Sequence, residues 1–325
     1  MVFAVAVTAG ILIYVMKQNP FQYLSEIKWP YLFGALVASL VGIWFDANRL
    51  VQMARLTGDR LSQNQSMKIL FGNYFFAFFT PGATGGPIAQ YLLLSRYGIS
   101  AGKATLFIAT RTLCSLTIMI LLMPLLFHSG EGLPIDVPHY LPYLLSGLLL
   151  IFLFLAFRLA RSPRFIRWSR GIVYMWSPQR FQRKLLRLHQ DLSEVALLFS
   201  LNPFKMLFIL IQTALSLSIS YSMVYFLFIG FGISASPILV LGRMFLLNFL
   251  MHFAPTPGGS GIAEGLFILL FSSQSSAGIA GITALLWRLF AEYLPAIIGL
   301  LVMIQEFGYR YFKEKFWDVK EGGAP

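Results

Sequence analysis

The chain has 325 residues, of which 57% are hydrophobic and 12% charged, and its mean hydropathy is +0.71. Soluble domains carry about 25% charged residues, so this balance excludes them and defines an integral membrane protein. The net charge of +12 is unevenly placed, and its location carries more information than its size.

Crossing about 30 Å of hydrocarbon takes about 20 mostly apolar residues. Six stretches approach that length, at 1–16, 30–48, 104–127, 140–157, 204–230 and 279–305. They are read as six spanning helices. The first, MVFAVAVTAGILIYVM, has no basic leader and no A-x-A-like cleavage site, so it reads as a retained helix rather than a signal peptide. Asp46, near the inner end of the second, is expected to cap the helix or pair with Arg49. The single cysteine, Cys114, lies inside an apolar run, which excludes an intrachain disulfide and a cysteine-based zinc site.

Between the spans lie two interrupted apolar regions, MKILFGNYFFAFFTPGATGGPIAQYLLLSR at 67–96 and GRMFLLNFLMHFAPTPGGSGIAEGLFILLF at 242–271. Each reads as two half-helices around a Gly/Pro hinge. If each enters and leaves on one side, the basic segments fall together on the cytoplasmic side: 49–68, 96–103, the Arg-rich stretch 158–205 and the tail. Residues 128–139, 231–238 and 272–278 contain no Lys or Arg and fall outside. A single crossing by the first region would export Arg96, Lys103 and the 158–205 stretch, so the charge pattern favours re-entrant hairpins. Within that stretch Phe181, Leu185, Leu188, Leu192, Val195 and Phe199 recur at steps of four and three. Such spacing describes an amphipathic helix on the inner membrane surface, whether attracted to anionic lipid or packed under the bundle.

The hairpins also resemble each other. Lys68, Asn73, Thr80-Pro81-Gly82 and Arg111 run parallel to Arg243, Asn248, Thr256-Pro257-Gly258 and Arg288, with spacings that agree to within one residue. Three spanning helices separate them, so the repeats are expected to be inverted. The predicted fold is an all-α membrane protein forming a single domain: repeat 1 at about 30–127, a linker helix and basic region at about 140–203, repeat 2 at about 204–305, and a tail at 306–325. Both termini are expected in the cytoplasm, in a cell inner or plasma membrane.

A helix that stops within a membrane leaves backbone N–H and C=O groups unpaired, which is tolerated only inside protein or beside a polar cavity. Broken helices at matching positions of inverted repeats point to a substrate site near the midplane. Gly82, Gly85, Gly86, Gly258, Gly259 and Gly261, with Pro257, are expected to shape it. The half-helix N-termini would offer N–H groups to an anion. Arg111 and Arg288 lie several residues inside apolar helices, where a charge costs about 2.5–3.5 kcal/mol on insertion scales. They are expected to engage a phosphate from opposite sides, or, for Arg288, to pair with Glu292 and Glu264 and hold the bundle together. Asn73 and Asn248 would bind the same head group or satisfy broken backbone.

GGSG at 258–261 matches the G-x-S-G of intramembrane serine proteases. A nucleophilic Ser260 needs a base within reach, and His252 alone lies at membrane depth, across two prolines. His252 is therefore read as a packed residue. The four histidines are scattered along the chain, which argues against a metal centre, and neither a metal nor a cofactor is implied.

FAPTPGGSGIAEG at 253–265, GRMFLLNFLMH before it, ITALLWRLFAEYLPAIIGLL after it and FFTPGATGGPIAQYLLLSRYGISAGKATLFIATR earlier resemble the membrane domain of lysylphosphatidylglycerol synthases, the multiple peptide resistance factor family. Pro255, Pro257, Gly258, Gly259, Gly261 and Glu264 carry its P-x-P-G-G-x-G-x-x-E pattern. In two-domain members this part is held to be a flippase for aminoacylated phospholipid, beside a soluble domain that makes it. Here the chain ends at KEKFWDVKEGGAP, so the resemblance implies transport rather than an enzyme.

The expected function is lipid translocation. The expected partners are membrane lipids, either anionic phospholipid, aminoacyl-phospholipid or polyprenyl phosphate, with a second copy or a lipid-synthesising enzyme as protein partner and no nucleic acid. With no G-x-x-x-x-G-K-[ST] sequence for ATP, movement is either passive or coupled to an ion or the membrane potential. The rival readings are a secondary transporter of a small soluble anion and a scaffold for a lipid-modifying enzyme.

Overall fold

The computed structural model describes residues 20–127, 140–160 and 202–308, with isolated positions between 162 and 171. The expected span at 1–16, the loop at 128–139, the amphipathic stripe and the tail from 309 onward lie outside the described residues.

Among those residues every regular element is helical. In chain order they are α1 (Trp29–Leu56), α2 (Gln63–Phe79), α3 (Gly85–Arg96), α4 (Ala101–Phe127), α5 (Leu141–Ala160), α6 (Pro203–Gly230), α7 (Pro237–Met251), α8 (Ile262–Phe271), α9 (Ala277–Arg288) and α10 (Leu294–Met303). A π-helical turn, Leu289–Tyr293, joins α9 to α10, and a second, Ile304–Gly308, follows. Four described segments are long and apolar enough to cross a membrane: α1, Ala101–Leu122 of α4, α6 and the run Ala277–Gly308. The 20-residue α5 covers the stretch expected as a further span.

Local signals explain the boundaries. Proline occupies the first turn of α1, α6 and α7, where its missing N–H has no intrahelical partner to lose. Ser62 and Gln65 form a reciprocal capping box at the start of α2, satisfying two otherwise free donors. Thr80, which precedes Pro81, is extended (φ −114°, ψ 139°), because a proline ring disfavours helical geometry in the residue before it.

The central pair is α1 and α6. Ser216 donates to the Gly42 carbonyl at 2.8 Å, and a side chain at Gly42 would run into Ser220. Close backbone approach of this kind is how helices associate where lipid offers no hydrophobic gain. Two apolar clusters flank the pair. One gathers Phe228, Phe245, Phe267, Phe271 and Trp287 from α6 to α9, and the other Leu50, Met53, Leu70, Leu93 and Phe107 from α1 to α4. Phe33, Phe152 and Leu301, each more than 60% exposed, face outward, as expected of a surface solvated by lipid.

Each broken region doubles back. Lys68 near the start of α2 and Arg96 at the end of α3 both bind Glu306, at 2.7 and 2.8 Å, so the two limbs of the first hairpin end together beyond α10. Arg243 on α7 reaches Ser273 and Gln274 just past α8, so the second hairpin ends beside the start of α9. The run from Ala277 to Gly308 has 32 residues and is about 48 Å long at 1.5 Å per residue. The open ends of the hairpins therefore lie at opposite ends of the bundle. Their tips meet, with Pro81 and Pro257 joined by an antiparallel bridge.

Ser100 and Ser272 are exposed near the open ends of the first and second hairpins, while Cys114 is buried. Cysteines placed at 100 and 272 in a Cys114→Ser background are expected to react with an impermeant maleimide from opposite faces of the membrane. Labelling of both from one face would contradict this arrangement.

Candidate functional site

A cavity of about 320 Å³ lies where the hairpin tips meet α1, α4, α6 and the first π-helical turn. That volume is within the range of small-ligand sites. Its floor is formed by the hinges. Gly82 and Gly258 have φ of 60° and 56°, and each faces the other hairpin: a Cβ on Gly258 would stand 3.0 Å from the Phe78 carbonyl, and one on Gly82 3.9 Å from that of Ala254. Gly259 also has positive φ, 65°, and a side chain there would strike Met251. Bulk at either second-hairpin position is excluded by conformation and by space.

One wall carries a cationic cluster. Asp46 accepts from both Arg49 and Arg111, and Arg111 Nε adds a contact of 3.2 Å, so Arg111 grips the carboxylate with a fork. Arg49 also donates to Thr213 at 2.8 Å and to Ser115 at 3.3 Å. Two guanidinium groups share one carboxylate, which leaves a positive excess facing the cavity. Asp46, expected near a helix end as a cap or as the partner of Arg49, makes that pair but not at the helix end. Instead α1 continues to Leu56, and both are buried in its interior, because each supplies what the other's burial requires.

A second cluster, which reaches the cavity through Glu292, carries the reverse imbalance. Arg288 is fully buried and lies 3.6 Å from Glu264 Oε1 and 3.1 Å from Glu292 Oε2. Its guanidinium sits 5.4 Å from the centre of the Tyr293 ring and donates to Ser260 at 3.4 Å. Glu292 lines the cavity, whereas Arg288 and Glu264 do not. The two arginines expected to face one anion are thus placed differently: Arg111 opens onto the cavity, and Arg288 reaches it only through Glu292.

At each half-helix N-terminus one backbone N–H is taken by a side chain. At α3 the Gly85 N–H donates to Thr80 Oγ1 at 2.8 Å. At α8 the Gly261 N–H donates to Glu264 Oε2 at 2.6 Å. Corresponding positions solve the same problem with a hydroxyl in one repeat and a carboxylate in the other. Thr256, the counterpart of Thr80, is left with a buried hydroxyl that has no hydrogen-bond partner.

Asn73 accepts from Gln90 at 2.6 Å and Asn248 donates to the Met244 carbonyl at 2.9 Å; both line the cavity. Gly86 packs on the Asn73 side chain. Gly85, Gly86, Pro257 and Gly261 shape the hinges without lining the cavity. His252, expected to be packed, is exposed beside the hinge and belongs to the lining. Sequence reasoning missed Tyr74, Ser216, Ser220 and Tyr221 of the lining. A usable signal existed for Asp46 and Arg49: charges three residues apart near an apolar run are costly unless they share a buried partner.

Removing one member of a buried ionic cluster leaves an uncompensated charge, at about 3–5 kcal/mol. Asp46→Asn is therefore expected to lower stability by about that amount, and Asp46→Leu combined with Arg49→Met and Arg111→Met to recover most of it. Thermal unfolding in detergent measures both.

Two comparisons follow from this geometry. Over 96% of both chains, the sequence is 24% identical to a UPF0104 membrane protein of Archaeoglobus fulgidus. Residues 1–299 match the family described as the lysylphosphatidylglycerol synthase TM region. A match over nearly the whole length settles the classification, and the chain belongs to the lysylphosphatidylglycerol synthase transmembrane-region family.

Proposed function

We propose that the protein translocates a phosphate-bearing or aminoacylated lipid between leaflets, with the head group in the cavity and the acyl chains in the bilayer. The observation that carries this reading is a single one: two hairpins, open at opposite ends of the bundle, meet tip to tip at a cavity whose wall holds an excess of arginine over carboxylate. In this reading both hairpins are re-entrant, the repeats are inverted, and the site lies near the midplane, where a head group is equally far from both surfaces. Arg111, Asn73 and Asn248 contact the head group. Gly82, Gly258 and Gly259 let it approach the backbone, and Glu292 sets its polarity from the second cluster.

A lipid suits the surroundings better than a small soluble anion. Phe79 and Phe253, 62% and 71% exposed, flank the two hinges and offer apolar surface to acyl chains beside the polar site. A soluble anion has no use for such surface.

The test uses the purified full-length protein in liposomes carrying a trace of fluorescent phosphatidylglycerol, with head-group accessibility to an external quencher as the readout. Wild type is expected to expose the inner-leaflet probe. Gly259→Val, strained at a positive φ and crowded against Met251, should slow this at least tenfold, which corresponds to about 1.4 kcal/mol in barrier, while remaining monodisperse. Arg111→Met should slow it as well. Uptake of a soluble phosphate or carboxylate by the same vesicles, with no movement of phosphatidylglycerol, aminoacyl-phospholipid or polyprenyl phosphate, would transfer the assignment to a secondary transporter.

A further inference from the structure

A second ionic cluster, which reaches the cavity through Glu292, holds two carboxylates and one guanidinium. Glu264 and Glu292 share Arg288, and Arg288 is fully buried with Nε and Nη1 making no hydrogen bond. The two acids are not equivalent. Glu264, with 2% of its side chain exposed, is held by the Gly261 N–H, whereas Glu292 is 27% exposed and lines the cavity. We infer that Glu292 is a proton-exchange site, and that one proton enters the cavity wall there with each anionic head group the protein moves. The transport consequence rests on the translocation reading above, while the proton site does not.

The charges facing Glu292 make this arrangement consistent. On its own helical run stand Arg288 and Tyr293, and from α8 comes Glu264 through their common arginine. Sharing the cavity lining with Glu292 are Asp46 and Arg49 of α1, Arg111 of α4, Tyr74 of α2, Tyr221 of α6 and His252 beside the second hinge. Asp46 is already claimed by two arginines, so Glu292 is the carboxylate with excess negative charge at its back and access to cavity water. Proton balance is simple: the Glu292 carboxylate takes one proton from that water and becomes a neutral acid. Arg288 is then free to close on Glu264, using the N–H groups that now have no hydrogen-bond partner. The cavity loses the negative charge that opposes a phosphate at Arg111, and the proton leaves to water when the head group does. One phosphate charge and one proton cross together, so the step is electroneutral.

Two measurements on the reconstituted full-length chain test this. Infrared difference spectra between neutral and acidic buffer should show a protonated-carboxyl band in wild type. That band should be absent in Glu292→Gln. In Glu264→Gln, where Arg288 and Glu292 remain as a balanced pair, it should need more acidic buffer to appear. No band in wild type, a band surviving in Glu292→Gln, or a band unaffected by Glu264→Gln would each overturn the proton site. In liposomes containing fluorescent phosphatidylglycerol, acidifying the side from which the probe departs should speed wild-type movement several-fold and leave Glu292→Gln with a flat pH response. Movement by wild type that ignores the gradient overturns the coupling and leaves translocation standing. If wild type moves no lipid at all, the translocation reading fails, and the infrared bands still decide whether Glu292 exchanges protons.

Discussion

A polypeptide that breaks a helix among apolar side chains must pair the backbone groups it has released, and the architecture of this protein follows from that requirement. The limbs on either side of each break have 10 to 17 residues, too few to cross about 30 Å of hydrocarbon alone at 1.5 Å per residue. They can exist at depth only if the breaks are enclosed. Joining Pro81 to Pro257 brings both breaks together, so that each hinge packs against the other. The cavity exists because two prolines and several glycines cannot fill the space where the tips meet.

The same economy governs the charges. Arg49, Arg111 and Arg288 each share a carboxylate, and in neither cluster do the numbers match. An excess of arginine in one cluster and of glutamate in the other gives the cavity a polarity that a balanced set of pairs would lack. Each cluster draws on more than one element: Asp46 and Arg49 from α1 with Arg111 from α4, and Glu264 from α8 with Arg288 and Glu292 from the run around α9. Displacing one helix would therefore strand a buried charge, which ties the shape of the cavity to the packing of the bundle.

The outer ends of the hairpins are held differently. Glu306 grips Lys68 and Arg96 together and so links the first hairpin to the last helix, with Arg96 also lying 5.3 Å from the centre of the Phe307 ring. The second hairpin closes on itself through Arg243 and Gln274, a contact with a neutral partner. Two regions related in sequence thus differ in what they are fastened to.

Much of this was legible in the sequence, because the relevant signals are local. Apolar runs of sufficient length give helices that span, and Thr-Pro-Gly and Thr-Pro-Gly-Gly stop helices wherever they occur, since proline lacks a donor and glycine accepts positive φ. The distribution of Lys and Arg is the ground for expecting each broken region to enter and leave on one side. What only tertiary structure decided is which polar groups satisfy one another. Asp46 looked terminal because the hydropathy of α1 fades before the helix ends. Thr80 and Glu264 each take one N–H at a half-helix N-terminus, and neighbours in space rather than in sequence set Arg111 on the cavity and Arg288 behind Glu292. Hydropathy and helix breaking act over a few residues and can be read from them; pairing of buried charges depends on distances between helices that no single segment contains.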